Sequence, residues 1–243
     1  MKGHVVELCS GFGKVTEWFR ENGYQAHRFE VDPYFNDIPD TTIKNVMDIQ
    51  PEELPMNPKF FWASPPCNTY SPVGVWRYWI RDKGNMRPKT FDECRFIKGR
   101  EISTDKAMRY YTDLIDSLAL IRHISMLIDK TKPKYYLVEN PVGALKYVLF
   151  NWERIMFDQA IFGTAGKKPT YLFGNHPPQL VAYLEHRMAL KDYDWEVTEA
   201  WGRKKRGTLG LAGSRLRSMI PYELGRIIGL AIEGRLELGE KIG

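Results

Sequence analysis

The sequence predicts a doubly wound α/β sheet, and three observations support this fold class. Short apolar segments that suit strands occur along the chain, separated by segments whose apolar residues recur at helical spacing. Strand and helix patterns therefore alternate and are not segregated, which favours an α/β fold. The chain has 243 residues, 43% of them hydrophobic, which suffices for one domain with a substantial core.

Each element follows from its residue pattern. The expected strands are apolar and often β-branched, and they cover residues 4–9, 26–31, a weak segment ending at Asp48, 60–63, 135–138, 155–162 and 169–173. The expected helices carry apolar residues three or four apart, and they cover the segment from Val15 to Gly23, 105–129, 143–151 and 221–236. Residues 68–102 are expected to form a long loop rich in charge and aromatic residues, and 174–212 an irregular polar region.

The segment Ser64-Pro65-Pro66-Cys67 follows the apolar run 60–63 directly. Proline fixes φ and restricts the residue before it, so the two prolines leave Cys67 little backbone freedom. Ligands of open α/β sheets bind at the carboxyl ends of the strands. A thiol on a stiff turn at that edge is a candidate nucleophile. The alternative is a loop cysteine that happens to follow a tight turn.

The turn Ser10-Gly11-Phe12-Gly13 lies between the first strand and the first helix. Glycine lets the backbone approach a ligand closely, and a helix amino terminus adds N–H donors. Glu30, with Asp32 nearby, ends the second strand 17 residues beyond Gly13, about where a nucleoside ribose takes a carboxylate partner. No Gly-x-x-x-x-Gly-Lys run is present, so phosphate transfer is not expected. A cofactor that carries a nucleoside without a pyrophosphate fits these residues. A plain tight turn with ordinary strand-end carboxylates is the alternative.

Glu139 and Asn140 end the next core strand after Cys67. Because the ends of adjacent parallel strands face one crevice, we expect Glu139 to lie near Cys67. An acyl-transfer site usually places a base such as histidine beside its thiol. An acid suits a ring substrate that is protonated while the thiolate adds to it, whereas the alternative for Glu139 is a helix-capping carboxylate.

The formal charge is +5 and the pI about 9.0, and part of the basic excess is clustered. One run is Arg203-Lys204-Lys205-Arg206, and a second basic region spans residues 77–100. The aromatic residues interleaved with the second region are Tyr78, Trp79, Phe91 and Phe96. Basic stretches with aromatics suit phosphate contacts and base stacking, and a solvated loop is the alternative.

The three cysteines and five histidines show neither a disulfide framework nor a metal-ligand spacing. A reducing, cytoplasmic compartment and the absence of a metal are therefore expected. No stretch is long and apolar enough to span a bilayer, and residues 1–4 lead straight into a strand. Neither a membrane partner nor a signal peptide is expected.

Six segments carry a resemblance to a known family. They are residues 7–13, Glu30-Val31-Asp32, Met47-Asp48-Ile49, Pro66-Cys67-Asn68-Thr69-Tyr70-Ser71, Glu139-Asn140 and Arg217-Ser218-Met219-Ile220-Pro221-Tyr222-Glu223. In this order they resemble the motifs of the DNA cytosine-5 methyltransferase family, and they span nearly the whole chain. The Pro-Cys and Glu-Asn pair at strand ends is the most specific part of the resemblance.

The resemblance implies a Rossmann-like methyltransferase sheet, mostly parallel with one antiparallel strand. It implies methyl transfer from S-adenosyl-L-methionine to C5 of a flipped cytosine in double-stranded DNA, through a covalent adduct with Cys67, leaving S-adenosyl-L-homocysteine. The implied catalytic residues are Cys67, Glu139, Asn140 and Lys168. The implied cofactor-binding residues are Leu8, Cys9, Ser10, Gly11, Phe12, Gly13, Glu30, Val31, Asp48, Ile49, Ser64 and Pro66.

The chain departs from the family pattern in three places. Where the family has Gln-x-Arg-x-Arg, this chain has Gly166-Lys167-Lys168-Pro169-Thr170, and Lys168 is the expected substitute. The family's closing Gly-Asn-Ser-Val is not recognisable in residues 229–233. The stretch 174–212 is too short for a large recognition domain.

We therefore expect a catalytic domain in residues 1–173 and 213–243 and a small, basic, target-recognition-like region in 174–212. Residues 68–102 are expected to form a long active-site loop that contacts DNA. The resemblance favours a monomer of phage or restriction-modification type, and the sequence does not reveal whether a partner nuclease exists.

Three rival functions stay open at this point. An amino-methyltransferase of DNA carries an aromatic residue after Ser-Pro-Pro, where this chain has Cys67. An RNA cytosine-5 methyltransferase would use the same chemistry on another nucleic acid. An inactive DNA-binding paralogue would explain the missing motifs, but Cys67 and Glu139 oppose it.

Overall fold

The computed structural model describes residues 1–72, 74–162, 168–190 and 219–240. Their strands are β1 (His4–Leu8), β2 (Gln25–Glu30), β3 (Thr41–Ile43), β4 (Phe60–Ala63), β5 (Trp79–Asp82), β6 (Asn85–Pro88), β7 (Phe96–Ile97), β8 (Arg100–Glu101), β9 (Tyr135–Pro141), β10 (Arg154–Asp158) and β11 (Pro169–Asn175). Their α-helices are α1 (Lys14–Glu21), α2 (Val75–Tyr78), α3 (Phe91–Cys94), α4 (Thr104–Thr131), α5 (Leu145–Val148), α6 (Pro178–Leu190) and α7 (Tyr222–Ile232).

One sheet of the described residues contains seven strands in the order β10-β11-β9-β4-β1-β2-β3. Strand β11 is antiparallel to both of its neighbours, and the remaining pairs are parallel. The strand order and directions confirm the predicted fold class, including its single reversed strand. The sheet also contains the weak third strand, which is shorter than expected and is followed by a 3-10 turn at Val46–Asp48.

The centre of the sheet consists of strands that are buried on both faces. All four residues of β4 are fully buried, as expected for a continuous apolar run in a parallel sheet. β1 lies between β4 and β2, so successive connections run from it in opposite directions. This reversal makes the carboxyl ends of β1 and β4 the topological switch point, where open α/β sheets bind ligands.

Helices cover both faces of the sheet. Apolar residues of α1, α6 and α7 pack on one face with Val5 and Phe60. Apolar residues of α4 pack on the other face with Val6 and Phe61. Neighbouring residues of one strand thus point into different layers, because side chains alternate across a strand.

The prediction of a long loop at residues 68–102 is wrong, because most of this stretch has regular secondary structure. Residues 75–101, called the hairpin element below, contain α2, the β5–β6 hairpin, α3 and the β7–β8 hairpin. Tyr78 and Trp79 are buried in its base, so the expectation that they stack on nucleic-acid bases is also wrong. The Tyr78 ring lies 5.6 Å from that of Tyr110 on α4, and the indole N–H of Trp79 donates to the carbonyl of Thr69.

Two further expectations need correction. Within 174–212, residues 178–190 form α6, which buries Leu180, Tyr183 and Leu184 at helical spacing. The strand expected at 155–162 ends at Asp158, because the Asp158 carboxylate accepts the backbone N–H groups of Ala160 and Lys168 and turns the chain.

Some predicted features lie outside the described residues. They are the basic run Arg203–Arg206, the recognition-like region from residue 191 to 212, and Arg217.

Candidate active site

A cavity of 770 Å³ opens at the switch point between β1 and β4. Its size is within the range of small-molecule and cofactor sites. Its wall comes from the turn after β1, the end of β2, the Pro-Cys turn after β4, the end of β9 and one residue of α4. Elements far apart in the sequence therefore meet at one edge of the sheet.

A network of buried, hydrogen-bonded polar side chains supports the glycine turn at one side of the cavity. Gly13 has φ of 63°, and a Cβ there would lie 2.8 Å from the guanidinium of Arg28, so glycine is required on both counts. That guanidinium donates to the carbonyl of Gly13 and to the hydroxyl of Thr16. Thr16 donates in turn to the Glu7 carboxylate, which lines the floor of the cavity. Burial raises the pKa of Glu7 to about 7, against the opposing effects of Thr16 and Arg28.

Glu30 joins the glycine turn to the end of β2. One carboxylate oxygen accepts the N–H of Gly11 at 2.8 Å, and the other accepts those of Val31 at 2.8 Å and Asp32 at 3.2 Å. Glu30 lines the cavity at this position. Burial, and secondarily the Glu30 carboxylate, raises the pKa of the neighbouring Cys9 thiol to about 12. A pKa this high favours the protonated thiol at neutral pH and so lowers its nucleophilicity.

The turn that carries Cys67 is fixed by hydrogen bonds from three parts of the fold. The side-chain amide of Asn140 donates to the carbonyl of Pro65 at 3.1 Å. The N–H of Ala144 donates to the carbonyl of Tyr70 at 2.8 Å, and Trp79 holds Thr69 as described above. The backbone of Tyr70 and Ser71 also donates to the carbonyl of Cys67. Cys67 therefore stands on a rigid turn with its side chain at the cavity wall.

Glu139 lies at the cavity wall close to Cys67, and it is 4% exposed. Gln159 donates to its carboxylate at 3.1 Å, and Lys168 Nζ lies 3.7 Å from the same oxygen. Burial raises the pKa of Glu139, and Lys168 and Gln159 oppose that rise. Burial likewise raises the pKa of Cys67; Glu139 raises it further, and Lys168 lowers it. The site thus contains a thiol, a carboxyl group and one ammonium group whose charges are coupled.

No protein-family profile matches this chain, and no curated protein matches it. The solved structures that its fold resembles include a candidate DNA modification methyltransferase encoded within an E. coli prophage, the Entamoeba histolytica methyltransferase EhMeth, and the S. pombe Dnmt2 methyltransferase. The respective identities are 14%, 17% and 13%, and the TM-scores are 0.43, 0.42 and 0.39.

The matches cover 72%, 72% and 71% of this chain, and 47%, 53% and 49% of the three structures. The chain thus spans about half the length of the proteins it resembles. At identities and TM-scores this low, the likeness says nothing about activity. The functional proposal therefore rests on the residues of the site.

Most residues proposed for the site from the sequence do meet at the cavity. Those at its wall are Cys9, Ser10, Gly11, Phe12, Glu30, Val31, Ser64, Pro66, Cys67, Glu139 and Lys168. Five others do not line it: Leu8 and Ile49 are buried in the core, Gly13 and Asn140 are buried behind the wall, and Asp48 is exposed at the end of a 3-10 turn. The roles of all these residues stay predictions.

Sequence reasoning missed several residues of the site. Gln159 bonds to Glu139 and to Thr170, but an isolated glutamine after a strand gives no signal of such a role. Leu120 of α4 reaches the cavity wall, and so do Asn45 and Val46. Asn45 was detectable in principle, since its side chain accepts the N–H of Met47 and starts the 3-10 turn.

The cavity wall at the glycine turn includes a polar side-chain atom that has no hydrogen-bond partner among the described residues. This atom is the buried hydroxyl oxygen of Ser10. A buried hydroxyl without a partner is costly unless a ligand or water satisfies it. The Ser10 hydroxyl, the Glu30 carboxylate and the exposed apolar Val31 together fit a ligand that has polar and apolar parts.

Two further observations concern metals and membranes. In the described parts of the chain, no group of three or more histidine, cysteine, aspartate or glutamate side chains is arranged to hold a metal ion. None of the helices in residues 1–72, 74–162, 168–190 and 219–240 is both long and apolar enough to cross a bilayer.

Proposed function

We propose that this chain is a DNA (cytosine-5)-methyltransferase that uses S-adenosyl-L-methionine. The observation that carries the proposal is the placement of Cys67 and Glu139 at one wall of a cavity that continues to the glycine turn. A buried carboxyl group beside a thiol fits addition of the thiolate to a ring that accepts a proton. An acyl-transfer site would instead require a base at that position.

The cofactor would occupy the part of the cavity between the glycine turn and the end of β2. Ser10 and Phe12 would contact it from the turn, and Glu30 would accept a hydrogen bond from its ribose. Val31 is 61% exposed at the cavity edge and offers apolar surface to an adenine ring. When bound, S-adenosylmethionine supplies an electrophilic methyl group.

Cys67 would act as the nucleophile on a cytosine extruded from the duplex. Its thiolate adds to C6, which forms an S–C6 bond and moves electron density towards N3 and C5. Glu139 holds a proton at N3 and thereby limits the charge that develops on the ring. After C5 has accepted the methyl group, a base or water removes the C5 proton, the S–C6 bond breaks, and Cys67 is released as thiolate.

Lys168 and Asn140 would support these two groups. The Lys168 ammonium favours the thiolate form of Cys67, because it lowers the pKa of the thiol. It also limits the rise that burial gives to the pKa of Glu139. Asn140 does not reach the cavity and acts as a positioning residue, because its amide fixes the carbonyl of Pro65 in the Pro-Cys turn.

The test is transfer of labelled methyl groups to duplex DNA of mixed sequence by the native protein and by Cys67→Ser, followed by identification of the modified base. We expect label on C5 of cytosine, and its loss in Cys67→Ser by at least a factor of about a thousand, because the adduct cannot form. Cys94→Ala is the matched control, since this cysteine lies in the hairpin element and away from the cavity.

Each rival function predicts a different result in the same experiment. Label on an amino nitrogen that survives Cys67→Ser would identify an amino-methyltransferase. Label on RNA but not on DNA would identify an RNA methyltransferase. A protein that binds DNA without transferring label to either nucleic acid would be an inactive paralogue.

A further inference from the structure

The hairpin element at residues 75–101 is basic, and two groups of its cations differ in the partners they have. Arg77 and Lys98 belong to neither group, since each lies over the Trp76 ring. The first group is used inside the element. Arg87 forms ion pairs with Glu93 and Asp82, and Arg95 pairs with Glu101. Lys89 donates to the carbonyls of Trp76 and Phe96. These residues hold the element together and are not available to a partner.

The second group lies at the tips of the two hairpins. Arg81 is the last residue but one of β5, Lys83 lies in the β5–β6 turn, and Arg100 follows the β7–β8 turn. Arg81 and Lys83 are exposed, as is Arg100, and none of these side chains forms an ion pair or a hydrogen bond within the described residues. Cations without such partners, gathered at projecting tips, are typical of an electrostatic contact with a polyanion.

Both tips have the same construction. Each turn is Lys-Gly with both residues at positive φ: Lys83 at 45° and Gly84 at 87°, Lys98 at 50° and Gly99 at 77°. Positive φ at both central residues defines the tight type I′ turn, which keeps the two strands paired up to the tip. Each hairpin is therefore a narrow two-stranded ribbon that ends in positive charge.

The hairpin element follows the Pro-Cys turn at the cavity wall, and the indole N–H of Trp79 at its base donates to the carbonyl of Thr69 in that turn. Leu120 of α4 lines the cavity, and the helix begins at Thr104, so about 24 Å of helix precedes the residue at the cavity. The hairpin element packs on this projecting half, where Tyr78 contacts Tyr110 and Phe91 contacts Tyr111. A duplex that places a base in the cavity would extend over the surface around the Pro-Cys turn, against which the base of the hairpin element packs.

We propose that the two hairpin tips bind the duplex that is methylated and that this duplex is B-form DNA. The inference rests on the proposed function for the position of the substrate. The major groove of B-DNA admits a two-stranded β-ribbon, whereas the major groove of A-form RNA is too deep and narrow for side chains to read. A pair of ribbon tips that carry Arg81, Lys83 and Arg100 therefore fits a DNA duplex better than an RNA duplex.

The test is equilibrium binding of the full chain to a fluorescent DNA duplex and to an RNA duplex of the same sequence, over a series of salt concentrations. The test variant combines Arg81→Gln, Lys83→Asn and Arg100→Gln, because asparagine keeps the left-handed turn while removing the charge. The control variant combines Lys59→Gln, Lys130→Gln and Lys132→Asn, in which asparagine again suits a left-handed residue, since Lys132 has φ of 51°. It removes equal charge at the other edge of the sheet, where Asn57 bonds to Thr131.

We expect the test variant to bind DNA at least tenfold more weakly at about 0.1 M salt and to lower the salt slope by about 2 to 3, since each lost phosphate contact removes about 0.9. The control should stay within about twofold of the native protein, and native binding to RNA should be at least tenfold weaker than to DNA. Native affinity in the test variant, equal losses in both variants, or equal affinity for RNA and DNA would each overturn the proposal. Both variants must show native circular dichroism and melting temperature.

Binding and catalysis are separable in this design. If the tip variant loses DNA binding while the native protein transfers no methyl group, the tips bind DNA and the proposed function is wrong. If the native protein methylates cytosine but the tip variant binds DNA normally, the proposed function holds and the role of the tips is wrong.

Discussion

At the scale of single residues, the candidate site is defined by charge coupling among Cys67, Glu139 and Lys168. The Lys168 ammonium lies 3.7 Å from the Glu139 carboxylate, and both influence the thiol. Glu139 raises the pKa of Cys67, and Lys168 lowers it. The two neighbours therefore adjust the thiolate population in opposite directions.

This coupling predicts opposite effects of two substitutions on alkylation of Cys67 by iodoacetamide. Glu139→Gln should shift the pH profile of alkylation to lower pH, and Lys168→Gln should shift it to higher pH. A shift of one pKa unit changes the rate below the midpoint by roughly threefold, because thiolate population and nucleophilicity change in opposite senses. Mass spectrometry identifies the alkylated cysteine, and Cys9, with its pKa of about 12, is the internal control. Shifts in the same direction for both variants would contradict the coupling.

Glu7 predicts a second effect at this scale, on stability. Its pKa in the folded state is about 7, above its usual 4.5, so the folded chain binds more protons between these values. The free energy of unfolding should therefore fall as pH rises from about 4.5 to 7, by up to about 3 kcal/mol, and level off above. Urea unfolding at pH 5 and pH 8 measures the change, and Glu7→Gln should abolish this contribution. An identical pH dependence in Glu7→Gln would show that Glu7 titrates normally.

At the scale of elements, the contact between α1 and α7 supports the glycine turn from behind. α1 begins directly after the turn, and Gly229 of α7 packs on Trp18 of α1. A Cβ at Gly229 would lie 2.1 Å from carbons of the Trp18 ring. Glycine at this position permits the close approach of the two helices, which is why a glycine occurs inside a helix where it would otherwise be unfavourable.

Gly229→Ala should therefore destabilise the protein by about 1 to 3 kcal/mol, the usual cost of overpacking a core. Helix propensity alone predicts the opposite sign, a gain of about 1 kcal/mol. Chemical denaturation distinguishes the two, and Gly239→Ala is the control because its Cβ would enter open space. A stabilised Gly229→Ala variant would mean that the helices can move apart at little cost.

At the scale of the whole molecule, ligand binding should be visible as stability. A ligand that binds only the folded chain stabilises it by about 2.7 kcal/mol at a hundred times its Kd, which corresponds to roughly 5 to 10 °C in Tm for a chain of this size. We expect this shift with S-adenosylhomocysteine and none with methionine. Ser10→Ala should not lower the Tm without ligand, because its hydroxyl has no partner among the described residues, but it should reduce the shift on ligand binding. An equal shift in Ser10→Ala would place the ligand away from the turn.

Sequence patterns identified the sheet well but not the connections around it. Strands such as β4 were recognisable because a short, unbroken apolar run is typical of a strand buried on both faces. The hairpin element was missed because its strands are short and charged, and their pairing depends on Lys-Gly turns that resemble ordinary loop sequence. Helix α6 was missed because its buried residues, Leu180, Tyr183 and Leu184, cover little more than one helical turn and so give a short periodic pattern.

The sequence by itself determined which segments form the central strands and which residue types lie at their ends. Glu139 could be assigned to the same crevice as Cys67 because the ends of adjacent parallel strands face one crevice. Only the tertiary structure decided which charges are coupled and which are available. Gln159 donates to Glu139, which lies 20 positions earlier in the chain, and Arg28 donates to the carbonyl of Gly13. Arg87 forms ion pairs, whereas Arg81 forms none with the described part of the chain. These contacts join residues that no local pattern relates, so they exist only once the chain has folded.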